Sequence, residues 1–394
     1  MSNQKVLYIL VNSPGEVCGW AAPVVQRLRM TAPGLSIIAV TLPCPYASGG
    51  EKQAALAFGV QEVVTLGQLL KRKLPKVKKG QSDFAQILQL GGDAMWGLLL
   101  HIKTGYDWLI YTKRPKFRHF VHHYFVPNRE TEDKFALVLP PDKFSLAGNL
   151  ILDSVKLGDG SEGREGELRL VILPGSRPFE YTRSIPFYLE VSRLLHEKFP
   201  ALSITFPLAP TVKEEACTRA IEESGCHYAR DEATGDFTVQ ISVGFNVRFT
   251  TQNTFDEIKR ATLAVAFPGT NNLQIAYLGA PLLCLAPTNF AEEIPLDGLL
   301  GLIPNCAVTR KLKRLIIDRL NRRIDFTSLP NILAKRQVVP EVRRFFSVED
   351  GAETIAKYLA SEKLRNDIKE AYRLVPFDLG ADRVIAEFIT KSLK

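Results

Sequence analysis

Short apolar runs, rich in β-branched residues and bounded by turn residues, recur along the N-terminal part of the chain. They have the pattern of buried strands and cover residues 6–11, 36–41, 62–65, 87–90, 108–111 and 124–126. Stretches with the spacing of helices lie between them, for example residues 21–30 and 95–103. Strand and helix in alternation predict βαβ units, and hence a parallel sheet.

The same alternation starts again after a glycine-rich, charged segment. Residues 158–166 contain no apolar side chain, which is the composition of an exposed linker. Beyond it we predict strands at 168–173, 203–206, 263–266 and 282–285, and helices at 184–198, 213–223 and 271–278. We therefore expect an α/β domain (1–157), a linker (158–167), a second α/β domain (168–347) and C-terminal helices (348–394) that pack back on the first domain.

The composition agrees with a protein that folds around two cores. A chain of 394 residues is too long for one ordinary domain, and 46% hydrophobic with 23% charged residues is typical of globular proteins. The net charge of +8 favours anionic partners. The first apolar run is too short for a signal peptide, no run is long enough to span a membrane, and the six cysteines are scattered, so we expect a cytoplasmic protein.

The predicted strand at 168–173 runs directly into Pro174-Gly175-Ser176-Arg177. Ligands of open α/β sheets bind at the carboxyl ends of the strands, where this turn is expected. A guanidinium can bind a diphosphate through two hydrogen bonds, and the small residues allow backbone donors to approach it. A tight turn with a solvated arginine is the alternative interpretation.

A second glycine turn follows the predicted strand at 263–266. Gly269 is followed by Thr270 and Asn271, which we expect to cap a helix whose N-terminal N–H groups face phosphate. An ordinary helix start is the alternative for this segment alone. Two such turns in one domain favour a nucleotide site.

Glycine and a carboxylate also follow two strands of the first domain. Gly15 and Glu16 come after the strand at 6–11, and Gly91, Gly92 and Asp93 come after the strand at 87–90. A transferase that acts on an acceptor hydroxyl needs a base, and a carboxylate at a sheet edge can serve as one. For both Glu16 and Asp93 the alternative is a helix-start charge that interacts with the helix dipole.

Two basic clusters and a group of histidines are further candidates. Residues 71–79 interleave cations with apolar side chains, a pattern suited to an anionic membrane surface, with a solvated loop as the alternative. Residues 310–323 have the pattern of a basic amphipathic surface helix. His119, His122 and His123 lack the carboxylate of a zinc-protease helix, so we expect no metal site.

Taken together, these segments resemble the lipid-A-disaccharide synthase family of inverting glycosyltransferases. The resemblance is clearest at Leu173-Pro174-Gly175-Ser176-Arg177, and where residues 328–334 (Ser-Leu-Pro-Asn-Ile-Leu-Ala) run into 338–341 (Val-Val-Pro-Glu). Weaker matches lie at Gly15-Glu16, at Asp93 and at residues 127–130 and 148–153. The resemblance implies an α/β protein of two Rossmann-like domains that face a cleft, the GT-B architecture, and a hexosyltransferase activity in lipid A or related lipid metabolism.

The resemblance also implies roles for individual residues. A UDP-sugar would lie on the second domain with its diphosphate near Arg177, and Asp93 would deprotonate an acceptor hydroxyl, whose oxygen attacks the anomeric carbon with inversion. Neither a metal nor another cofactor is needed, because Arg177 and helix dipoles offset the charge on the leaving diphosphate. The residues expected to bind substrate are Gly15, Glu16, Gly175, Ser176, Arg177, Gly269, Thr270, Asn271, Gln274, Asn331 and Glu341.

Gln274 departs from the family pattern, since it stands where the family has a carboxylate expected to accept ribose hydroxyls. Two alternatives therefore stay open: a relative of the same fold that binds or scaffolds without turnover, and a UDP-sugar epimerase. The expected partners are a UDP-sugar donor, a lipid or glycolipid acceptor, the inner face of the membrane through residues 71–79, and a second copy of the chain in a homodimer. Nucleic acid is not an expected partner.

Overall fold

The computed structural model describes residues 5–44, 46–74, 84–157, 166–287, 324–344 and 346–393. The chain forms two compact units. The N-terminal unit comprises Met1–Val155 and Phe377–Lys394, and the C-terminal unit comprises Lys156–Pro376. Most of the predicted linker, residues 158–165, and the basic cluster 310–323 lie outside the described residues.

The strands of the N-terminal unit form one parallel sheet. They are β1 (Lys5–Val11), β2 (Ser36–Thr41), β3 (Glu62–Thr65), β4 (Phe84–Gln89), β5 (Asp107–Tyr111), β6 (His123–Val126) and β7 (Phe144–Leu146). Their order in the sheet is β3-β2-β1-β4-β5-β6-β7. The run at 87–90 ends as a strand one residue early, and β7 is an addition that no pattern predicted.

Both faces of this sheet are covered, which explains why β1 is apolar at nearly every position. Leu7 and Ile9 belong to one hydrophobic core, and Tyr8 and Leu10 belong to another. Successive side chains of a strand point to opposite faces, so the two cores lie on the two sides of the sheet. The helices are α1 (Pro14–Glu16), α2 (Ala22–Thr31), α3 (Glu51–Ala57), α4 (Leu66–Lys71), α5 (Ala94–Thr104), α6 (Arg129–Ala136) and α7 (Leu150–Asp153), with a π-helical turn (Val17–Ala21) between α1 and α2.

The sheet of the C-terminal unit is parallel except at one edge. Its strands are β8 (Arg169–Leu173), β9 (Ser203–Pro207), β10 (His227–Arg230), β11 (Phe237–Ser242), β12 (Phe245–Thr250), β13 (Leu263–Ala266), β14 (Leu282–Pro287) and β15 (Glu341–Arg344). They are ordered β10-β11-β12-β9-β8-β13-β14-β15. The pairs β10-β11 and β11-β12 are antiparallel, so this edge departs from the strand–helix alternation of the rest of the sheet. Short connections, residues 231–236 and 243–244, join these strands without a crossover helix, so the neighbouring strands run antiparallel.

The helices of this unit are α8 (Pro178–Lys198), α9 (Glu214–Glu223), α10 (Thr254–Lys259), α11 (Thr270–Tyr277), α12 (Leu329–Ala334), α13 (Val348–Ala360) and α14 (Glu362–Ala371). The predicted helix at 184–198 begins six residues early, at Pro178. Proline suits this first position, because its missing N–H has no helical partner there. The early start places the first turn of α8 directly after the turn at 174–177.

The last helix, α15 (Ala381–Ser392), belongs to the N-terminal unit, whereas residues 348–376 belong to the C-terminal unit. Asp153 accepts hydrogen bonds from the N–H groups of Gly380 (2.8 Å) and Asp382 (2.9 Å) at the start of α15. Gly148 lies against the same segment, and a Cβ there would be 2.9 Å from the carbonyl oxygen of residue 378. The segment 148–153 therefore docks the C-terminus on its own unit.

His123 is expected to make the stability of the N-terminal unit depend on pH. The ring is buried, stacks on Phe388 (4.2 Å between centroids) and lies 2.9 Å from Ser145 Oγ. Burial lowers the pKa of His123 to about 4, although a hydrogen bond to the backbone of Asp142 acts the other way. Between about pH 6.5 and pH 4 the unfolded chain binds a proton that the folded chain does not, so stability falls as the pH falls, by at most about 1.4 kcal/mol per pH unit.

Urea unfolding at a series of pH values tests this. His123→Gln is expected to make the free energy of unfolding less dependent on pH between about pH 6.5 and pH 4. His119→Gln changes an exposed ring, and we expect it to leave the pH dependence as in the wild type. If the slope of the free energy of unfolding against pH were the same in His123→Gln as in the wild type, the pH dependence would come from other titratable groups.

Candidate functional site

Two turns that the sequence indicated lie side by side in the C-terminal unit. Residues 174–177 follow β8 and residues 267–270 follow β13, and the two strands are parallel neighbours with Leu173 opposite Ala266. The chain leaves β8 towards β9 on one side and returns to β13 on the other. Such a switch point leaves a crevice at the carboxyl ends of the strands, where ligands of open α/β sheets bind.

Glu180, which no sequence pattern had singled out, closes the first turn. Arg177 is the N-cap of α8, and Glu180 in the first helical turn reaches back to the loop. Its Oε2 accepts hydrogen bonds from the N–H groups of Ser176 (3.0 Å) and Arg177 (3.2 Å). The backbone donors that we expected to face a diphosphate are therefore already bonded to a carboxylate.

Gly175 permits this closure. Its φ is +99°, and a Cβ there would lie 2.5 Å from Glu180 Cβ. The side chain of Arg177 is 39% exposed, and its Nη1 lies 3.4 Å from Glu180 Oε1. Burial raises the pKa of Glu180, while the Arg177 guanidinium and the two N–H groups act in the opposite direction. The turn thus presents a guanidinium backed by a largely buried carboxylate.

Asn272, another residue outside the sequence prediction, holds the second turn. α11 begins at Thr270 with Gly269 as its N-cap, so the prediction that Thr270 and Asn271 cap the helix was one residue late. The Asn272 side chain is fully buried, donates to the carbonyl of Phe267 (2.9 Å) and accepts from the N–H of Gly269 (3.2 Å). A buried amide thus sets the shape of the glycine turn.

The remaining predicted residues of α11 are half-buried. Thr270 and Asn271 form its first turn, and Gln274 lies one turn further along. Residues four apart share a face of a helix, so Gln274 and Thr270 lie on the same side of α11. An amide there can donate as well as accept, whereas a carboxylate only accepts.

Asn331 and Glu341 belong to a buried polar network. Asn331 lies on α12 and is fully buried. Its Nδ2 donates to the carbonyl of residue 339 (2.8 Å) and to Glu341 Oε1 (2.7 Å). Its Oδ1 accepts from the N–H groups of residues 338 and 339, at 2.7 and 2.8 Å. The Glu341 side chain, 6% exposed, also accepts from the N–H groups of residues 327 and 328 (2.9 and 2.8 Å). These two predicted site residues therefore hold a loop together through their side chains.

A similar switch point lies in the N-terminal unit, between β1 and β4. Gly15 and Glu16 are in α1, directly after β1, and Glu16 Oε2 accepts from the N–H groups of Asn12 (2.9 Å) and Ser13 (3.2 Å). A Cβ at Gly91, after β4, would lie 1.8 Å from the same oxygen. Burial raises the pKa of Glu16, and hydrogen bonds from the backbone of both loops oppose that rise. Glu16 thus links the two loops.

Asp93 is the exposed carboxylate at this switch point. It is the N-cap of α5, and its Oδ1 accepts from the N–H of Met95 (2.8 Å). The buried amide of Gln89 donates to the carbonyls of Gly91 (3.0 Å) and Asp93 (2.9 Å), and so holds the turn. The sequence prediction did not include Gln89; a polar residue at the end of an otherwise apolar strand is the signal that could have identified it. Asp93 is therefore both a helix cap and a solvent-exposed carboxylate.

The histidines and the basic run lie apart from these turns in sequence. His119 is in a turn and His123 begins β6, so they do not share a helix face. No cluster of metal-binding side chains occurs among the residues that the structure describes. In the run 71–79, Arg72 pairs with Glu62 (2.6 Å), and residues 75–79 lie outside the described residues. Within the described ranges, no helix is long and apolar enough to cross a bilayer.

No protein-family model matches the chain. Curated relatives do: a lipid-A-disaccharide synthase of Syntrophus aciditrophicus is 26% identical over 226 residues, which are 53% of this chain and 49% of that protein. A lipid-A-disaccharide synthase of Sulfurihydrogenibium sp. is 22% identical over 246 residues, 60% of this chain and 55% of that protein. The chain thus spans about half the length of the curated relatives it matches, and the resemblance seen in the motifs is supported as a distant similarity.

Solved structures match nearly the whole chain. The S. aureus MnaA–UDP structure has a TM-score of 0.58 at 12% identity and covers 99% of this chain and 97% of that one. A UDP-GlcNAc 2-epimerase from Neisseria meningitidis bound to UDP-GlcNAc has a TM-score of 0.52 at 12% identity, with coverages of 98% and 100%. MurG of Acinetobacter baumannii has a TM-score of 0.50 at 12% identity, with coverages of 98% and 99%. The predicted fold class, two Rossmann-like α/β domains as in GT-B proteins, is confirmed.

Proposed function

We propose that the chain is an inverting glycosyltransferase that transfers a sugar from a UDP-sugar to a hydroxyl of a lipid or lipid-like acceptor. The curated relatives that it resembles are named lipid-A-disaccharide synthases, which supports a lipid-linked sugar as the product. One observation carries the proposal: the turns at 174–177 and 267–270 lie on neighbouring strands at the switch point of the C-terminal unit. Arg177 and the N-terminus of α11 supply the positive potential that a diphosphate needs there. Gln274, in the second turn of α11, is assigned to the nucleoside.

The proposed reaction needs one base and one site for the leaving group. Asp93 takes the proton of the acceptor hydroxyl, and the oxygen attacks the anomeric carbon as the bond from that carbon to the diphosphate breaks, with inversion. UDP leaves with the bonding electrons, and Asp93 releases its proton to solvent. Arg177 and the N–H groups of α11 stabilise the charge that develops on the diphosphate. Asn331 and Glu341 act by holding their loop, and residues 71–79 are assigned to lipid headgroups.

A UDP-sugar epimerase is the second candidate, because the solved structures with similar folds include a UDP-GlcNAc 2-epimerase. It would use the same nucleotide site and need no acceptor. A non-catalytic relative is the third, since Gln274 replaces a carboxylate of the family pattern. Acceptor dependence of UDP release distinguishes the transferase from both.

Arg177→Ala is expected to weaken UDP binding roughly ten- to 150-fold, which corresponds to the loss of charge-assisted hydrogen bonds of about 1.5–3 kcal/mol. Thermal shift with UDP, UDP-sugars and other nucleotides measures this. Arg193→Ala is the matched control, because Arg193 is an exposed, ion-paired arginine of the same helix. If no nucleotide changed the melting temperature of the wild-type protein, both the transferase and the epimerase proposals would be contradicted.

A further inference from the structure

The two units close the turn after their first strand in the same way. In each, a helix begins with proline, at Pro14 or at Pro178, and a glutamate two residues later turns back to the loop. Glu16 Oε2 accepts from two consecutive N–H groups at 2.9 and 3.2 Å, and Glu180 Oε2 accepts from two consecutive N–H groups at 3.0 and 3.2 Å. Each unit therefore carries its own anion where a Rossmann-like turn can receive phosphate.

The two turns differ in the residue at the N-cap. It is Ser13 in the N-terminal unit and Arg177 in the C-terminal unit. Only the second can form an ion pair with its glutamate, and Arg177 Nη1 lies 3.4 Å from Glu180 Oε1. The Glu180 side chain is 12% exposed, so its carboxylate is a largely buried anchor for a more accessible guanidinium.

We propose that Glu180 is a positioning residue of the nucleotide site, which orients the Arg177 guanidinium for phosphate and keeps phosphate from the backbone N–H groups of residues 176 and 177. The turn then acts on a diphosphate through one side chain. This inference rests on the proposed function, because it takes a nucleoside diphosphate as the ligand.

Two physical effects follow from the arrangement. A guanidinium held at one end by a carboxylate loses less side-chain entropy when it binds a ligand, so the ion pair pre-organises the site. The carboxylate also satisfies donors that would otherwise attract any small anion, and in this way the loop selects for ligands that reach Arg177 and α11 together.

Glu180→Gln tests the proposal, since glutamine keeps an oxygen to accept from the loop but cannot form the ion pair. We expect its UDP dissociation constant to rise about fivefold, as for the loss of a partly exposed ion pair, with the affinity for uridine unchanged. In an Arg177→Ala background, Glu180→Gln is expected to leave the UDP dissociation constant unchanged. Glu190→Gln is the matched control, because Glu190 forms an exposed i,i+3 pair with Arg193 on the same helix.

Titration calorimetry with UDP and nuclear magnetic resonance titration with uridine separate the outcomes. Equal losses for UDP and uridine would indicate a purely structural role and overturn the proposal, as would unchanged or tighter UDP binding. Failure of the wild type to bind UDP would instead overturn the proposed function, and this inference with it. Relaxation of the Arg177 Nε–H group in the wild type is a second readout: we expect an ordered side chain, and the mobility of a fully solvated arginine would contradict the proposal even if Glu180→Gln did not fold.

Discussion

Asp93→Asn is expected to reduce acceptor-dependent release of UDP by about 10²- to 10⁴-fold, the range that a general base contributes, while UDP affinity stays as in the wild type. An amide cannot take the proton of the acceptor hydroxyl. Asparagine caps helices as well as aspartate does, so the N–H of Met95 keeps its acceptor and α5 its start. Release of UDP from UDP-sugars, with and without lipid acceptors, measures the effect.

Asp107→Asn is the control for this substitution. Asp107 is an exposed aspartate of the same unit, but it begins β5 and so lies at the amino edge of the sheet, whereas Asp93 follows the carboxyl end of β4. We expect no loss of activity in that variant. Undiminished UDP release in Asp93→Asn would remove Asp93 as the base, and sugar isomerisation that needs no acceptor would favour the epimerase.

Asn331→Ala is expected to destabilise the C-terminal unit by about 3–5 kcal/mol. The change leaves two backbone N–H groups, one carbonyl and the Glu341 carboxylate without the partner that Asn331 provides. Each buried polar group that loses its partner costs about 1–3 kcal/mol. Denaturant unfolding followed by circular dichroism gives the free energy of unfolding.

Ile332→Ala is the matched control, because Ile332 is on the same helix and 43% exposed; we expect a cost below about 1 kcal/mol. If Asn331→Ala kept its stability and yet lost UDP affinity, Asn331 would contact the ligand directly, in conflict with the structural role that its hydrogen bonds indicate.

Most of the strands could be predicted because their signal is local. A fully buried parallel strand is an apolar run between turns, and β1, β2, β3, β8 and β13 are placed within a residue of the prediction. β10, β11 and β12 had no counterpart in the prediction, although Phe237, Val239, Phe245 and Val247 alternate with polar residues. This alternation covers only a few residues, so it was a weaker signal than the strand–helix alternation of the βαβ units in the rest of the chain.

The side chains that shape the candidate site were harder to predict. Glu180 stands three residues after Arg177, the spacing of a capping box, but the helix was predicted to begin at residue 184, so Glu180 fell outside the predicted helix. Asn272 and Gln89 bond to backbone groups only a few residues away. Their importance comes from full burial, which depends on what packs around them.

By itself the sequence determined the fold class and the two glycine turns, since apolar periodicity, glycine and proline act over a few residues. Only the tertiary structure decided that Leu173 and Ala266, far apart in the chain, lie on neighbouring strands, and that of the C-terminal helices α15 belongs to the N-terminal unit while α13 and α14 belong to the C-terminal unit. Strand order depends on the packing of whole helices and strands, which no short segment encodes. The same packing placed the largely buried Glu180 carboxylate against the predicted diphosphate loop, where it already accepts from the N–H groups of residues 176 and 177, because a carboxylate removed from water needs hydrogen-bond donors.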